Sequence, residues 1–160
     1  MKAMIITVLL LMPQLAGAMD KADRVFIVKS EGKLYLQRGG TVIKQYHIAL
    51  GSQPKGPKRR QGDHRTPEGS YVLDLKNPGS RYYKSIRISY PNAADRARAR
   101  REGVHPGGWI MIHGQPNGYG HLAPITQRYN WTDGCIAVTD EEMDEIWKAV
   151  DVGTPIEIRP

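Results

Sequence analysis

Apolar and polar residues alternate along several short runs of the chain, and this pattern predicts strands that each bury one face. The predicted strands cover residues 24–29, 33–37, 42–50, 70–75, 85–90, 109–113 and 154–159. Ser30-Glu31-Gly32 separates the first two runs and predicts a hairpin between them. The chain is therefore expected to consist mainly of β-structure.

Helical periodicity occurs in a few short segments. A helix is predicted over residues 93–102, and a second short one is expected near residues 122–129. The clearest helix begins at Thr139, which has the capping-box spacing to Glu142, and is expected to end near Gly153. Its apolar face repeats at helical spacing and contains Met143, Ile146, Trp147 and Val150. The predicted fold class is mainly β with short helices (α+β), in a single domain.

A long segment without regular structure is predicted between the third and fourth strands. Residues 52–69 read SQPKGPKRRQGDHRTPEG, in which prolines and glycines interrupt any periodic pattern. Loops of this length in compact domains are usually functional or mobile. The loop, which contains His64 and Arg65, is therefore a candidate part of a functional site.

The first eighteen residues have the composition of a secretory signal. Lys2 precedes an apolar run over residues 3–12, and Ala16-Gly17-Ala18 provides the small residues of a cleavage site. The apolar run is well short of the roughly 20 residues that span a bilayer, so no stable membrane span is expected. The sequence thus predicts a signal peptide at residues 1–18, cleaved after Ala18, and an exported domain at residues 19–160.

The chain is basic, with 23 Lys and Arg residues against 16 Asp and Glu residues. Two clusters supply much of the excess: Lys55, Lys58, Arg59 and Arg60 in one, and Arg96, Arg98, Arg100 and Arg101 in the other. Such clusters usually form solvated faces, and they would also suit an anionic cell-wall polymer. Export separates the chain from nucleic acid, so no nucleic-acid partner is expected.

Cys135 is the only cysteine of the chain, which excludes an internal disulfide and favours a reactive thiol. A thiol needs a base, since its ordinary pKa of about 8.5 leaves only a small fraction of thiolate at neutral pH. The histidines that could serve are His47, His64, His105, His113 and His121. His113 is the best candidate because it ends the apolar run WIMI and precedes Gly114, where the backbone can turn away from a cleft.

Gly134 lets consecutive backbone amides around Cys135 converge, and such amides stabilise an oxyanion by roughly 3 to 4 kcal/mol. Zinc binding is the rival interpretation, because Cys135, His113, His121 and Asp133 are acceptable ligands by type. A single thiol at irregular spacing matches no established zinc pattern. Neither a metal nor another cofactor is therefore expected.

The segment Thr132-Asp133-Gly134-Cys135-Ile136, with His113-Gly114 placed 22 residues before the cysteine, resembles the motif of the L,D-transpeptidase catalytic domain, also called the YkuD domain. RTPEGSY, residues 65–71, is similar to the segment that begins a strand in that family. The resemblance implies a β-sandwich-like fold, a periplasmic or cell-wall location and acyl transfer on peptidoglycan stem peptides. In that reaction the cysteine attacks the carbonyl of the third-position diamino acid, expels the D-residue beyond it and forms a thioester.

The resemblance also implies roles for individual residues. Cys135 is the expected nucleophile, His113 the general base, and the Gly114 carbonyl the group that orients the imidazole. The expected oxyanion donors are the amides of Asp133, Gly134 and Cys135. The other oxyanion or substrate-binding candidates are Thr132, His64 and Arg65.

Two positions depart from the family pattern. Asp133 replaces a histidine, and Ala137 replaces the Arg or Asn that usually follows the apolar residue, which removes the usual contact for a substrate carboxylate. A carboxylate beside the cysteine disfavours the thiolate. We therefore expect Asp133 to pair with His64, His121 or an arginine such as Arg65.

The chain resembles the YafK-like branch of the family most closely, through the segments WTDGCIAVT, SYPNAADRARAR and GDHRTPEG. At least one member of that branch acts as an amidase that releases wall-attached lipoprotein. Three functions stay open: a transpeptidase acting on stem peptides, an amidase or hydrolase of the same fold, and an inactive wall-binding protein. The expected partners are peptidoglycan stem peptides and a wall-attached lipoprotein, and the protein is expected to be a monomer.

Overall fold

Strands make up most of the regular structure. The computed structural model describes residues 21–160, so the predicted signal peptide at residues 1–18 lies outside the described part. The described strands are β1 (Arg24–Val28), β2 (Lys33–Arg38), β3 (Thr41–His47), β4 (Gly69–Asn77), β5 (Ser85–Ile88), β6 (Met111–His113), β7 (Ile136–Ala137) and β8 (Pro155–Arg159). The described helices are α1 (Ala93–Glu102), α2 (Ala123–Thr126) and α3 (Asp140–Ala149). The predicted class, mainly β with short helices, is confirmed, and none of these helices is long and apolar enough to cross a membrane.

Some boundaries differ from the prediction because single residues leave the regular conformation. β6 begins at Met111 and not two residues earlier, because Trp109 has a left-handed backbone with a φ of 57°. α3 ends at Ala149 and not near Gly153, because Val150 is already extended, with a φ of −107° and a ψ of 147°. The two-residue strand β7 was not predicted at all, since it is too short to show a period.

The eight described strands form one curled sheet in the order β3-β2-β1-β8-β4-β5-β6-β7. The predicted hairpin of β1 and β2 is confirmed by antiparallel pairing from Arg24 with Gln37 to Val28 with Lys33. β8 lies parallel to β1 and antiparallel to β4. The last strand in the chain therefore fills the middle of the sheet.

The two ends of the sheet meet each other. The predicted third strand divides after His47, where β3 ends, and the chain then continues toward β7. Ala49 forms an antiparallel bridge with Ala137, and Gly51 forms a parallel bridge with Thr132. We call these two bridges the seam, and they lie on either side of the cysteine in the sequence.

The core is a cluster of side chains from both halves of the sheet and from α3. Met143 and Ile146 of α3 are fully buried, and Trp147 packs against the cluster from a half-buried position, as the helical period predicts. The fully buried strand residues include Ile27, Leu34, Leu36, Leu73, Ile86, Ile88, Ile112 and Ile136. Each such side chain stabilises the fold by roughly 1.5 to 3 kcal/mol relative to an exposed one. This packing fixes the strands that carry the candidate site.

A buried lysine anchors the long loop, residues 52–68, to the end of β1. Lys29 Nζ donates to the carbonyl oxygens of Gly56 at 2.7 Å and Thr66 at 3.1 Å, and to the Glu68 carboxylate at 2.8 Å. Three acceptors balance the cost of burying the ammonium group, which is large for an unpaired charge. The loop is therefore tied to the sheet at several points.

A second buried lysine corrects the expectation that the first basic cluster is a solvated face. Lys58 is only 4% exposed, and its Nζ donates to Asp63 Oδ1 at 2.8 Å and to the Arg60 carbonyl at 3.2 Å. Burial opposes ionisation of Asp63, but the hydrogen bond from Lys58 and three backbone amides together lower the pKa of Asp63 to about 2. The remaining members of the cluster, Lys55, Arg59 and Arg60, are exposed as expected.

Candidate active site

The cysteine segment runs beside the strand that ends at His113. β7 lies parallel to β6, with Ile136 opposite Ile112 and Ala137 opposite His113. Alternate residues of a strand share a face, so Cys135 and His113 are diagonal neighbours on one face, with Cα atoms roughly 7 to 8 Å apart. Both side chains line a single cleft of about 470 Å³, which we call the cysteine cleft. Its aromatic lining residues are Tyr82, Trp109 and Trp131.

The His113 ring is buried and held in one orientation. Its Nδ1 lies 2.7 Å from the Gly114 carbonyl oxygen, and because a carbonyl only accepts, Nδ1 carries the proton and Nε2 is left as a base. Tyr82 and Trp131 pack around the ring at centroid distances of 4.6 Å and 5.8 Å. Burial lowers the pKa of His113, and the hydrogen bond to Gly114 opposes this only in part. The imidazole is therefore neutral at neutral pH.

The first residue of α3 holds the turn that follows His113. Asp140 Oδ1 accepts a hydrogen bond of 2.8 Å from the Gln115 amide. A Cβ atom at Gly114 would lie 2.5 Å from Asp140 Oδ1 and 2.9 Å from Tyr83 Cβ, so a larger residue does not fit there. The close approach of Asp140 and Tyr83 to the backbone explains why residue 114 is a glycine. It also holds the Gly114 carbonyl oxygen next to the His113 imidazole.

The Cys135 thiol is half-buried in the cleft, with Sγ 3.6 Å from the Trp109 carbonyl oxygen. Burial raises the pKa of the Cys135 thiol, and the charge of Asp133 raises it further. A hydrogen bond from the Met111 backbone and the charge of Lys58 act in the opposite direction but do not prevail. The cysteine and His113 thus rest as a neutral pair.

The Gly134 amide forms a local hydrogen bond with the Thr132 side chain. Its N–H donates to Thr132 Oγ1 at 3.1 Å, and that hydroxyl donates to the Cys135 carbonyl at 2.7 Å. The Gly134 amide therefore already has an acceptor within the protein. Glycine is required there because its φ is 127° and a Cβ would lie 2.5 Å from the Arg65 carbonyl oxygen. The amides of Asp133 and Cys135 are the remaining candidates for oxyanion donors.

Asp133 pairs with His64, one of the partners expected from the sequence. Asp133 Oδ1 lies 2.7 Å from His64 Nδ1, and the two side chains are 91% and 49% exposed. Arg65, the other loop candidate, instead lies beside Gly56, where a Cβ would be 3.1 Å from its Nη1. The structure therefore brings His64 to the rim of the cleft but not the Arg65 guanidinium.

A second cleft of about 1140 Å³ adjoins the cysteine cleft, and Trp109 and Asp133 line both of them. The Trp109 indole is 68% exposed and lies 5.5 Å from the Arg87 guanidinium. The basic residues that line this second cleft are Lys58, Arg87, Arg96, His64 and His105. Sequence reasoning missed Trp109, although the preceding Gly107-Gly108 was a signal of unusual backbone.

Residues between β4 and β5 also line the cysteine cleft and were missed from the sequence. They include Arg81, Tyr82 and, at the start of β5, Ser85. No local pattern marks them, because only the pairing of β5 with β6 brings them beside His113. Among the described residues, no group of three or more His, Cys, Asp and Glu side chains is arranged to hold a metal ion.

A family model and a curated relative match most of this chain. The model described as the L,D-transpeptidase catalytic domain, YkuD, matches residues 22–158. YafK of Escherichia coli K12, a protein named as an L,D-transpeptidase, is 37% identical over 121 residues, which are 73% of this chain and 42% of YafK. The family model's match includes β6 and β7, the strands that carry His113 and adjoin Cys135.

Solved structures of similar proteins have the same fold. The helical cell shape determining protein Pgp2 from Campylobacter jejuni is 25% identical, with a TM-score of 0.63, and the match covers 85% of this chain and 47% of Pgp2. An L,D-transpeptidase from Mycobacterium smegmatis, 15% identical with a TM-score of 0.56, matches 85% of this chain and 58% of its own and shows the fold alone. The chain thus spans less than half the length of YafK or Pgp2.

Proposed function

Because the chain belongs to the L,D-transpeptidase catalytic domain family, we propose that it is an exported cysteine acyltransferase that acts on peptidoglycan stem peptides. The observation that carries this proposal is the shared cleft of Cys135 and His113, with the imidazole held by the Gly114 carbonyl. A nucleophile beside an oriented neutral base is the arrangement that acyl transfer through a thioester needs. Export through residues 1–18 and action in the periplasm are part of the same proposal.

In the first half of the reaction, His113 Nε2 accepts the thiol proton while Cys135 Sγ attacks the carbonyl carbon of the third-position diamino acid. The negative oxygen of the tetrahedral intermediate accepts hydrogen bonds from the amides of Asp133 and Cys135. His113 then returns the proton to the nitrogen of the leaving D-residue as the carbon–nitrogen bond breaks. A thioester on Cys135 remains.

In the second half, an acceptor attacks the thioester carbonyl and displaces Cys135 Sγ. His113 takes a proton from the acceptor and returns it to the sulfur. An amine of another stem peptide gives a crosslink, and this is the transpeptidase reaction. Water gives a hydrolysed product, and the same chemistry on the bond to a wall-attached lipoprotein would make the protein an amidase. The pocket that admits the acceptor decides between them.

The proposal is tested by incubating the mature protein with disaccharide tetrapeptides and with lipoprotein-bearing wall fragments. The products are identified by mass spectrometry. We expect Cys135→Ala to form no product and His113→Gln to be slower by roughly 100- to 10,000-fold. His121→Gln is the matched control, because His121 is exposed and does not line the cysteine cleft. Crosslinked dimers indicate the transferase, and released lipoprotein indicates the amidase. A wild-type protein that yields no product and no carbapenem adduct on Cys135 would support the inactive wall-binding protein instead.

A further inference from the structure

Arg81 lines the cysteine cleft, and its guanidinium has no acceptor among residues 21–160. It lies in the segment between β4 and β5, and its carbonyl accepts a hydrogen bond of 3.0 Å from the Asn117 amide, which fixes the backbone. Within residues 21–160, no acceptor is recorded for the Arg81 guanidinium, although most other basic side chains near the two clefts are paired. The one acidic side chain that lines the cysteine cleft, Asp133, is engaged by His64.

Two buried polar atoms in the same cleft also have no hydrogen-bond partner among the described residues. They are Ser85 Oγ and Trp131 Nε1. Ser85 is 1% exposed and lies opposite His113 in the antiparallel pair of β5 and β6, so its side chain is on the face that the cleft occupies. A buried polar atom without a partner destabilises the protein, by roughly 1 to 3 kcal/mol. A ligand that bonds to these atoms would remove that cost.

The position that usually supplies a basic residue in this family cannot do so here. Ala137 is fully buried, lies opposite His113 and forms one bridge of the seam with Ala49. Alanine carries no charge, and because residue 137 is fully buried, a long charged side chain would not fit there without repacking. A cation for the substrate must therefore come from another element.

We propose that Arg81, Ser85 and Trp131 form a carboxylate-binding subsite of the cysteine cleft. The inference rests on the proposed function and identifies how the stem peptide is recognised. Arg81 supplies a charged and geometrically directed donor, and Ser85 and Trp131 supply neutral donors, which together suit a carboxylate and not an amine. The stem peptide offers two such groups, the terminal carboxylate of the leaving D-residue and the distal carboxylate of the diamino acid.

The kinetic test compares three substrates: the tetrapeptide, its C-terminal amide, and the tetrapeptide with lysine at the third position. Arg81→Gln is expected to reduce kcat/KM on the first substrate by roughly 10- to 100-fold, mainly through KM. On the substrate that lacks the carboxylate bound by Arg81, wild type and Arg81→Gln should have the same kcat/KM. That substrate therefore identifies which of the two carboxylates Arg81 binds. Arg81→Lys should be intermediate because it keeps the charge but not the planar fork. Arg101→Gln, which removes an exposed charge from α1, is the control.

The subsite would be overturned if wild type and Arg81→Gln had nearly the same kcat/KM on the tetrapeptide. It would also be overturned if Arg81→Gln reduced kcat/KM by the same factor on all three substrates. Ser85→Ala gives a second readout: it should weaken substrate binding severalfold while leaving the Tm of the free protein unchanged or higher. A purely structural role would instead lower the Tm. If the wild type does not react, calorimetric binding of the tetrapeptide to Cys135→Ala, with and without Arg81→Gln, separates failure of the subsite from failure of the proposed reaction.

Discussion

Cys135 and His113 each lie where burial favours the uncharged side chain. The pKa of the thiol is raised and the pKa of the imidazole is lowered, so the structure does not favour a resting thiolate–imidazolium pair. The charge of Asp133 acts in the same direction on the thiol. Such a pair resists adventitious alkylation and oxidation, because both reactions need the thiolate. In the proposed reaction, the proton would therefore move only after the bound substrate has brought its carbonyl carbon up to the sulfur.

The resting state can be measured by the alkylation of Cys135 with iodoacetamide as a function of pH. Because the pKa of the thiol is raised, we expect the rate to keep rising as the pH passes the ordinary cysteine pKa, without a plateau at neutral pH. Asp133→Asn should raise the rate at neutral pH by about threefold, since it removes a charge that opposes the thiolate. Asp151→Asn, an exposed change, is the control. A plateau below neutral pH would show that an ion pair exists after all.

Individual site residues can be predicted from the sequence when their side-chain type and their immediate neighbours both indicate a function. Cys135 and His113 could be selected because one is a lone thiol and the other ends an apolar strand next to a glycine. Arg81 and Trp131 could not, because they reach the cleft only through strand pairing distant in sequence. The acceptor of the Gly134 amide was also hidden, since it depends on the rotamer of Thr132.

The element that shapes the rim of the cleft is the loop at residues 52–68. Its backbone passes against two glycines: a Cβ at Gly51 would lie 2.2 Å from the His64 carbonyl oxygen, and one at Gly134 would meet the Arg65 carbonyl. Thr66 Oγ1, at the end of the loop, accepts from the Gly51 amide at 3.1 Å. The loop is thus packed in place and carries His64 to Asp133.

The ion pair inside the loop predicts a pH-dependent stability. Asp63→Asn should lower the free energy of unfolding by about 2 kcal/mol at neutral pH, because Lys58 and three amides lose a charged acceptor. The folded pKa of Asp63, about 2, is below its unfolded value, so this stabilisation is present above the unfolded pKa and is lost as pH falls toward 2. Urea unfolding of wild type and Asp63→Asn between neutral pH and acidic pH should show that the difference in their free energy of unfolding becomes smaller as the pH falls. A difference independent of pH would contradict the ionised pair. Glu141→Gln, a change at an exposed position, is the control for the loss of one negative charge.

Elements whose signals are local were predicted correctly. The capping box of Thr139 and Glu142 is present, with side-chain to backbone bonds of 3.2 Å and 2.9 Å. The late start of β6 and the existence of β7 were not predicted, because the first depends on the left-handed Trp109 and the second on pairing with β6 and with Ala49. Short elements held by distant partners leave little trace in a sequence.

At the scale of the whole molecule, the sheet depends on its last strand. β8 pairs with β1 on one side and β4 on the other, so it joins the first half of the sheet to the second. Ile156 and Ile158 are each 1% exposed and lie in the shared core. The topology was not predictable from the pattern of strands, since the insertion of β8 between β1 and β4 is set by contacts more than 60 residues apart.

Ile158→Ala should therefore destabilise the entire domain and not only its C-terminal end. We expect a loss of about 4 kcal/mol in the free energy of unfolding, from lost burial and the cavity left behind. Val152→Ala, at a position that is 58% exposed, should change the stability by less than about 0.5 kcal/mol. Thermal unfolding followed both by far-ultraviolet circular dichroism and by tryptophan fluorescence tests this. Two separate transitions in the variant would show that β8 does not couple the halves.

The seam has a consequence for the mobility of the thiol. Cys135 lies between Thr132 and Ala137, and these two residues bridge to Gly51 and Ala49. The short segment that carries the sulfur is thus fastened on both flanks by residues far from it in sequence. Loosening either bridge would shift the sulfur relative to the His113 ring.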